Sequence, residues 1–334
     1  MQTDSETSGP FHAGERTAQA YAGVRLAGAP IRDFLPEQHR RFFPLLPFLP
    51  VALAGGDGWP AATILTGAPG FVSSPDPHRL HVAAHPDAAD PAAALLRPGT
   101  AIGALGIDLA TRRRNRVNGQ VASVDPDGFA VAVAQSFGNC PQYIQGRIVA
   151  DAARQPGALE SLGRLDAEAV RQVVAADTFF VASGSGGRGG HADGVDMSHR
   201  GGRPGFVRVA GDALVVPDFH GNRYFNTLGN FLLDPRAALL FVDFESGDLL
   251  HVAGMVEVDW RPDAAAGFAG AERVWRLHVV RAWRRRGAVP LRWAFRDYAP
   301  TTERTGMWAD AALEPGTVGD AVAASVAGDA ARGA

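Results

Sequence analysis

One cysteine, Cys140, is all the sequence contains, and lysine is missing altogether. A single thiol excludes an internal disulfide framework, a thiolate zinc site and a cysteine-rich iron–sulfur pattern. The missing lysine, set beside abundant Ala, Gly, Pro and Arg, reads as a coding bias and not as a functional signal. No apolar run reaches membrane-spanning length and no N-terminal apolar signal segment is visible. There is no long basic stripe, and the formal net charge is −3, which argues against a nucleic-acid partner. The one local basic run, Arg112 to Arg116, lies between apolar stretches and reads as a solvated hairpin. The chain is therefore expected to be cytoplasmic, without nucleic-acid or membrane partners. Its 334 residues allow two domains of ordinary size.

The informative stretch runs from Val195 to Gly254. It reads strand, turn, strand, polar loop, short helix, strand, turn, strand. Gly221, Asn222 and Arg223 sit where a strand hands over to a helix, so free backbone N–H groups point into the loop. Gly221 allows close backbone approach, Asn222 adds amide donors, and Arg223 adds a planar fork suited to phosphate. Together they describe a phosphate cradle at the mouth of a small β-barrel.

Elsewhere, helical spacing appears at Phe11–Val24, Leu35–Phe43, Asp90–Leu96 and Leu159–Ala175. Ser136 to Gln145 reads as a polar turn entering a helix, and Trp283–Arg286 as a solvated helix end. The two halves share an order of elements. Phe48 to Val82 and Phe179 to Val216 both read strand, turn, strand, Pro-Gly-Phe-Val, strand. Ala93 to Val124 and Leu228 to Val258 continue the match, which predicts a duplicated barrel. A fused pair makes its own pseudo-dimer. The first half has His85-Pro-Asp-Ala-Ala-Asp90 where the second has Gly-Asn-Arg, so one phosphate site is expected, not two. The expected divisions are a helical segment (1–44), a degenerate first barrel (45–150), a linker helix (151–177), a second, binding barrel (178–308) and a disordered tail (309–334).

The segment Ser198 to Gly254 carries Ser-His-Arg-Gly, Gly-Phe-Val-Arg-Val, Pro-Asp, Gly-Asn-Arg, Leu-Gly-Asn and Asp-Pro-Arg-Ala-Ala-Leu-Leu-Phe-Val. Asn139 to Gln145 reads Asn-Cys-Pro-Gln-Tyr-Ile-Gln, and Pro290 to Trp293 reads Pro-Leu-Arg-Trp. On these motifs the chain resembles the pyridoxamine 5′-phosphate oxidase-like FMN-binding split-barrel family, and within it the larger two-barrel, flavin-nucleotide-binding members. The resemblance implies a mainly β, α+β fold: tandem Greek-key split β-barrels forming an intramolecular pseudo-dimer, with FMN in the groove between them. It places Ser198 and Arg200 on the strand passing the flavin ring, with Val207 nearby. Pro217 and Asp218 fall at the strand end approaching the ring and ribityl chain, and Asn222 and Arg223 at the phosphate. Tyr224 stands where the oxidase has a lysine and Leu249 where it has a glutamine. No pyridoxamine-phosphate substrate site is recognisable.

Asn226, Thr227 and Asn230 follow at helical spacing, where they reach phosphate and ribityl hydroxyls or cap and pack. Asn139, Gln142 and Tyr143 are either a turn and cap or a reach across the pseudo-dimer to the ring. Arg292 and Trp293 either close the flavin's open face or pack in the core. His199, alternating with Ser198 and Arg200, reads as structural. The implied activity is an FMN-dependent oxidoreductase transferring hydride or electrons to or from a small molecule, with NAD(P)H or a separate reductase as donor. The alternative is a flavin-binding or electron-relay module without turnover. A homodimer is a further expected association, and no catalytic residue is assigned.

Overall fold

The computed structural model describes residues 9–152, 156–261 and 263–308. The tail (309–334) and most of the polar start lie outside the described residues. The chain is 15% helix and 43% strand, and its strands form open sheets. In the first half, β1 (Phe48–Ala54), β2 (Pro60–Thr66), β3 (Val72–Ser73), β4 (Arg79–Val82), β5 (Ala101–Asp108), β6 (Arg113–Asp125) and β7 (Gly128–Gly138) make a sheet ordered β2-β1-β5-β6-β7-β4-β3. Two connecting strands follow, β8 (Gly146–Ala152) and β9 (Leu159–Leu162). In the second half, β10 (Thr178–Gly184), β11 (Val195–Gly201), β12 (Arg208–Ala210), β13 (Ala213–Phe219), β14 (Arg236–Val242), β15 (Leu249–Asp259) and β16 (Ala271–Arg285) run β11-β10-β14-β15-β16-β13-β12. Renumbered from its own first strand, the second order is identical to the first. A final strand, β17 (Leu291–Asp297), pairs with β8.

Each sheet has its own apolar cluster, centred on Phe129, Leu49 and Val131 in the first and on Phe179, Phe241 and Trp275 in the second. A third cluster draws Phe48, Leu105 and Ile107 from the first half and Phe180, Met197 and Leu240 from the second, and so holds the sheets together. Strand alternation explains how one sequence serves both: Phe179 and Val181 face the domain's own core while Phe180 and Ala182 face the other half.

The helices are α1 (Ala13–Tyr21), α2 (Glu37–Phe42), α3 (Ala167–Ala175) and α4 (Asn226–Leu233). At the start of α1, His12 Nδ1 accepts from Glu15 N and Glu15 Oε2 accepts from His12 N, a reciprocal cap. The expected linker helix over Leu159–Ala175 is a strand followed by a shorter helix. Asp166 caps Ala169 N at 2.8 Å and sets the later start, and β9 is drawn onto the end of β16. Asp90–Leu96 contains one 3-10 turn, Ala93–Leu95, and the segment after Pro141 enters β8 instead of a helix. Trp283–Arg285 is the end of β16, not a helix end, and Arg286 begins the turn after it. Arg284 and Arg285 are buried there by ion pairs with Asp166 and Asp90. Among the described residues, no helix is long and apolar enough to cross a membrane.

Candidate functional site

One cleft collects most of the residues singled out from sequence. Strands β11 and β13 run along it, α4 starts beside it, and β6 and the 139–143 turn reach it from the first half. It has about 120 Å³ of free interior within about 940 Å³ of cleft space counted out to open solvent. Ser198, Arg200, Pro217, Asp218, Asn222, Arg223, Asn226, Thr227, Asn139, Gln142 and Tyr143 all line it.

The polar loop has a defined local cause. Arg223 and Phe225 both adopt left-handed backbone, φ 61°, and Asn222 Oδ1 accepts from Tyr224 N at 3.1 Å, folding the loop back before α4 begins. Asn222 Nδ2 donates to Asn139 Oδ1 at 3.4 Å, so the loop meets the first half's turn directly. Tyr143, also left-handed at φ 62°, stacks on Phe219 at 5.0 Å between centroids and donates its hydroxyl to the His220 carbonyl. A Cβ built on Gly221 meets nothing within 4 Å, so protein packing does not demand glycine there.

The cleft is basic in a chain that is acidic overall: Arg114, Arg116, Arg200, Arg223 and Arg273 face Asp218 and Glu272. Asp218 is held between Arg200 and Arg273. Glu272 takes Arg223 at 3.2 Å, Arg273 at 2.9 Å and His220 at 3.0 Å. Burial pushes the Glu272 carboxyl up, but the His220 hydrogen bond and the two guanidinium groups outweigh it and leave it below its ordinary value.

Sequence reading missed Arg114 and Arg116. They sit in the run taken for a solvated hairpin, yet Arg116 is 4% exposed, bound to Asp196 at 2.9 Å and Ser198 Oγ at 2.6 Å. Arg114 donates to the Cys140 carbonyl at 2.7 Å and to His199 Nδ1 at 3.1 Å, and no carboxylate among the described residues pairs with it. Burial and the neighbouring Arg116 bring its pKa down to about 10, which leaves it charged at neutral pH. The usable signal was alternation: Arg114, Arg116 and Asn118 share one face of β6, and Asp196, Ser198 and Arg200 one face of β11. The two stripes are complementary.

His199 gains a definite tautomer from this contact. Because Arg114 donates to Nδ1, the ring proton is on Nε2. Burial, then Arg114, Arg200 and Arg147, drive its pKa well below the ordinary value, so the ring is neutral. Its Nε2, together with Arg116 Nε, Arg200 Nε, Asn139 Nδ2 and Gln142 Oε1, is buried without a partner, and all five residues line the cleft. Unspent donors and an acceptor converging on one space fit a polar, anionic ligand.

Four expected site residues lie elsewhere. Val207 is fully buried in the second half's own core, in the bend before β12; Phe206 beside it is in that core too but also borders the cleft. Trp293 is packed edge-on against Phe48 and Phe244 in the inter-sheet cluster. Arg292 donates from Nη1 to the carbonyls of Val289 and Leu291 and does not line the cleft. Asn230 sits one helical turn deeper, tied to Ser183 and Asp196. Among the described residues no group of His, Cys, Asp or Glu could hold a metal ion.

The matching strand orders give the cleft a counterpart. Ser198 pairs with Val181 on β10 as Thr63 pairs with Val51 on β1, and Arg116 pairs with Leu105 as His251 pairs with Leu240. At that counterpart Thr63 donates to Asp90 at 2.6 Å and Arg285 reaches the same oxygen at 3.0 Å, with all three residues buried. An internal ion pair fills the position.

No protein-family model matches the sequence, and no curated protein matches it. Among solved structures the chain is similar to HupZ of group A Streptococcus, at 14% identity over 35% of this chain and 91% of that one, TM-score 0.27. It is also similar to an FAD-binding protein from Mesorhizobium loti, at 12% identity over 38% and 97%, TM-score 0.26. A third is the motility inhibitor MotI of Bacillus subtilis, at 10% identity over 70% and 88%, TM-score 0.20. Overlap this slight assigns neither a fold nor a ligand.

Proposed function

We propose that the chain is an FMN-dependent oxidoreductase, built as tandem split barrels whose two halves form a pseudo-dimer around one basic cleft. The second barrel, 178–308, supplies the phosphate turn, and the degenerate first barrel, 45–150, supplies Arg114, Arg116 and the 139–143 turn. The observation that carries this reading is the convergence of five arginines and unspent buried polar atoms from both halves on one cleft. Phe206, Phe219, Phe225 and Leu228 give the same cleft the apolar surface a flat ring system needs.

In this reading Asn222, Arg223 and the free N–H groups at the start of α4 hold the phosphate. Arg200 and Arg114 offset negative charge gathered on the ring side, and His199 Nε2–H donates to a ring or ribityl oxygen. A bound flavin supplies hydride and electron transfer at N5, while the protein supplies position and charge. The proposed electron donor is NAD(P)H or a separate reductase.

One observation favours the alternative of a flavin-binding or relay module. Asp218 is clamped by two arginines and His199 is fixed as a neutral donor, so neither of these two groups is poised for acid–base work. Titration of the purified chain with FMN and with riboflavin tests binding. Saturable quenching of FMN, at least about ten-fold tighter than riboflavin, is expected. Equal affinity for both would remove the phosphate turn, and no quenching of either would remove the flavin. Rapid mixing of the loaded protein with NADH or NADPH then separates the two: bleaching marks an enzyme, a lasting yellow form a relay.

A further inference from the structure

The Arg116–Asp196 pair is a wall shared by two clefts, since Arg116 lines the basic one and Asp196 a second. The second is roomier, with about 500 Å³ of free interior within about 1220 Å³ of cleft space counted to open solvent. It lies between α1, β6, β7 and the Gly-rich loop before β11. Its polar lining differs in character from the first: carboxyl groups of Glu15, Asp193 and Asp196, amides of Asn118, Gln120, Gln135 and Asn230, the His12 ring held by Asn230, and no arginine among the described residues that line it.

Two details say what such a lining lacks. Asn118 is 8% exposed, and both its amide hydrogens are spent, on Gln135 at 3.3 Å and Asp196 at 2.8 Å. The orientation is forced, because a flipped amide would set its oxygen against the Asp196 carboxylate. Its Oδ1 is left buried with no partner among the described residues, an acceptor that an N–H donor from the cleft would satisfy. Asp193 accepts from Ser185 Oγ and from Gly189 N, but no cation among the described residues pairs with it. Asp196 is neutralised by Arg116, so Asp193 is the open negative charge of the cleft.

We propose that this second cleft binds an organic cation rich in N–H donors, a protonated primary amine or amidine, with Asp193 as its counter-charge and Asn118 Oδ1 as its acceptor. The inference stands apart from the flavin reading. Neither residue lines the basic cleft.

Calorimetric titration of the full chain at pH 7 with 1,4-diaminobutane, and with succinate as the anionic counterpart, tests it. Saturable binding of the diamine at one site, and none of succinate, is expected. Asp193→Asn keeps the loop's accepting oxygen and should weaken the diamine at least ten-fold while FMN titrates as in the parent. Ala134 is an exposed strand residue lining the cleft, so Ala134→Trp narrows the space without entering a core, and it should weaken the diamine as well. The proposal is overturned if the diamine gives no saturable heat, if succinate binds equally, or if neither variant changes the diamine affinity.

Discussion

Arg114 differs from the other cations around the basic cleft in what its removal would leave behind. Truncating Arg200 or Arg223 strips one cationic partner from Asp218 or Glu272 and leaves the carboxylate to Arg273. Truncating Arg114 strands only a carbonyl and a neutral ring, and it relieves a half-buried cation of its desolvation. Arg114→Met should therefore leave the urea midpoint unchanged or raise it while flavin-nucleotide affinity drops at least about ten-fold, in line with loss of a desolvated charge contact. A fall in stability with unchanged affinity would make Arg114 a structural residue. Glu15 offers a test through pH. Burial, then Asp196, raises its pKa to about 8 from 4.5. The unfolded side chain loses its proton near 4.5 while the folded one keeps it, so stability is full below that pH. It falls by at most about 1.4 kcal/mol per pH unit until the folded value is passed. His39 runs the other way lower down, because burial pulls it to about 4 and stability there rises with pH up to its ordinary value near 6.5. The Glu15 effect is thus read above pH 6.5. Glu15→Gln should flatten the slope there and exceed the parent in stability at pH 8. An unchanged slope in urea titrations would contradict the buried neutral acid.

The element that fixes Glu15 is the contact of α1 with α4, which depends on two glycines. A Cβ on Gly229 would meet the Glu15 backbone at 2.6 Å, and one on Gly14 the Gly229 carbonyl at 2.1 Å. Neither neighbour is a flexible side-chain end, so the helices would have to part. Gly229→Ala should raise intrinsic helix propensity by about 1 kcal/mol and still destabilise the protein, because the forced separation breaks the Glu15–Asn226 and His12–Asn230 bonds. Faster amide exchange along α1, with β10 and β14 unaffected, is the expected signature. Element order was legible in the sequence because turn residues and strand alternation are local signals, and the repeat of Pro-Gly-Phe-Val at matching places exposed the shared order of the halves. The loop at Asn222 and Arg223 was legible for the same reason. Arg114, Arg284 and Arg285 were not: an arginine reads as a surface residue until its partner arrives from the other half or from a distant strand. Val207 and Trp293 were misplaced by motif alone, since a motif does not record that each side chain is claimed by an apolar cluster assembled from distant segments. The 159–175 segment failed because Leu159–Leu162 is drawn into β16's sheet by pairing that local spacing does not record.

At the scale of the whole molecule the two halves are alike in topology and unlike in what they enclose. One cleft keeps open space, and its counterpart is closed by Asp90 and Arg285, 4% and 2% exposed. Asp90 belongs to the first half and Arg285 to the second, so the pair also ties them together; Arg285 keeps Asp87 at 2.9 Å as a more exposed second partner. Breaking such a pair from one side leaves an uncompensated charge, which costs about 3–5 kcal/mol, whereas replacing both partners with apolar groups comes close to neutral. Asp90→Ala should lower the unfolding free energy by an amount of that order, less what Asp87 recovers. The double variant Asp90→Ala with Arg285→Met should regain most of the loss, giving a coupling energy well above the error of a double-mutant cycle. Flavin-nucleotide stoichiometry should stay at one per chain in all three variants, because His251 and Thr63 offer no arginine fork where Arg116 and Ser198 stand. A second equivalent bound by the double variant would mean that the ion pair alone keeps the counterpart from acting as a site. Additive losses from the two substitutions would mean that the halves are joined by the shared apolar cluster and not by this pair.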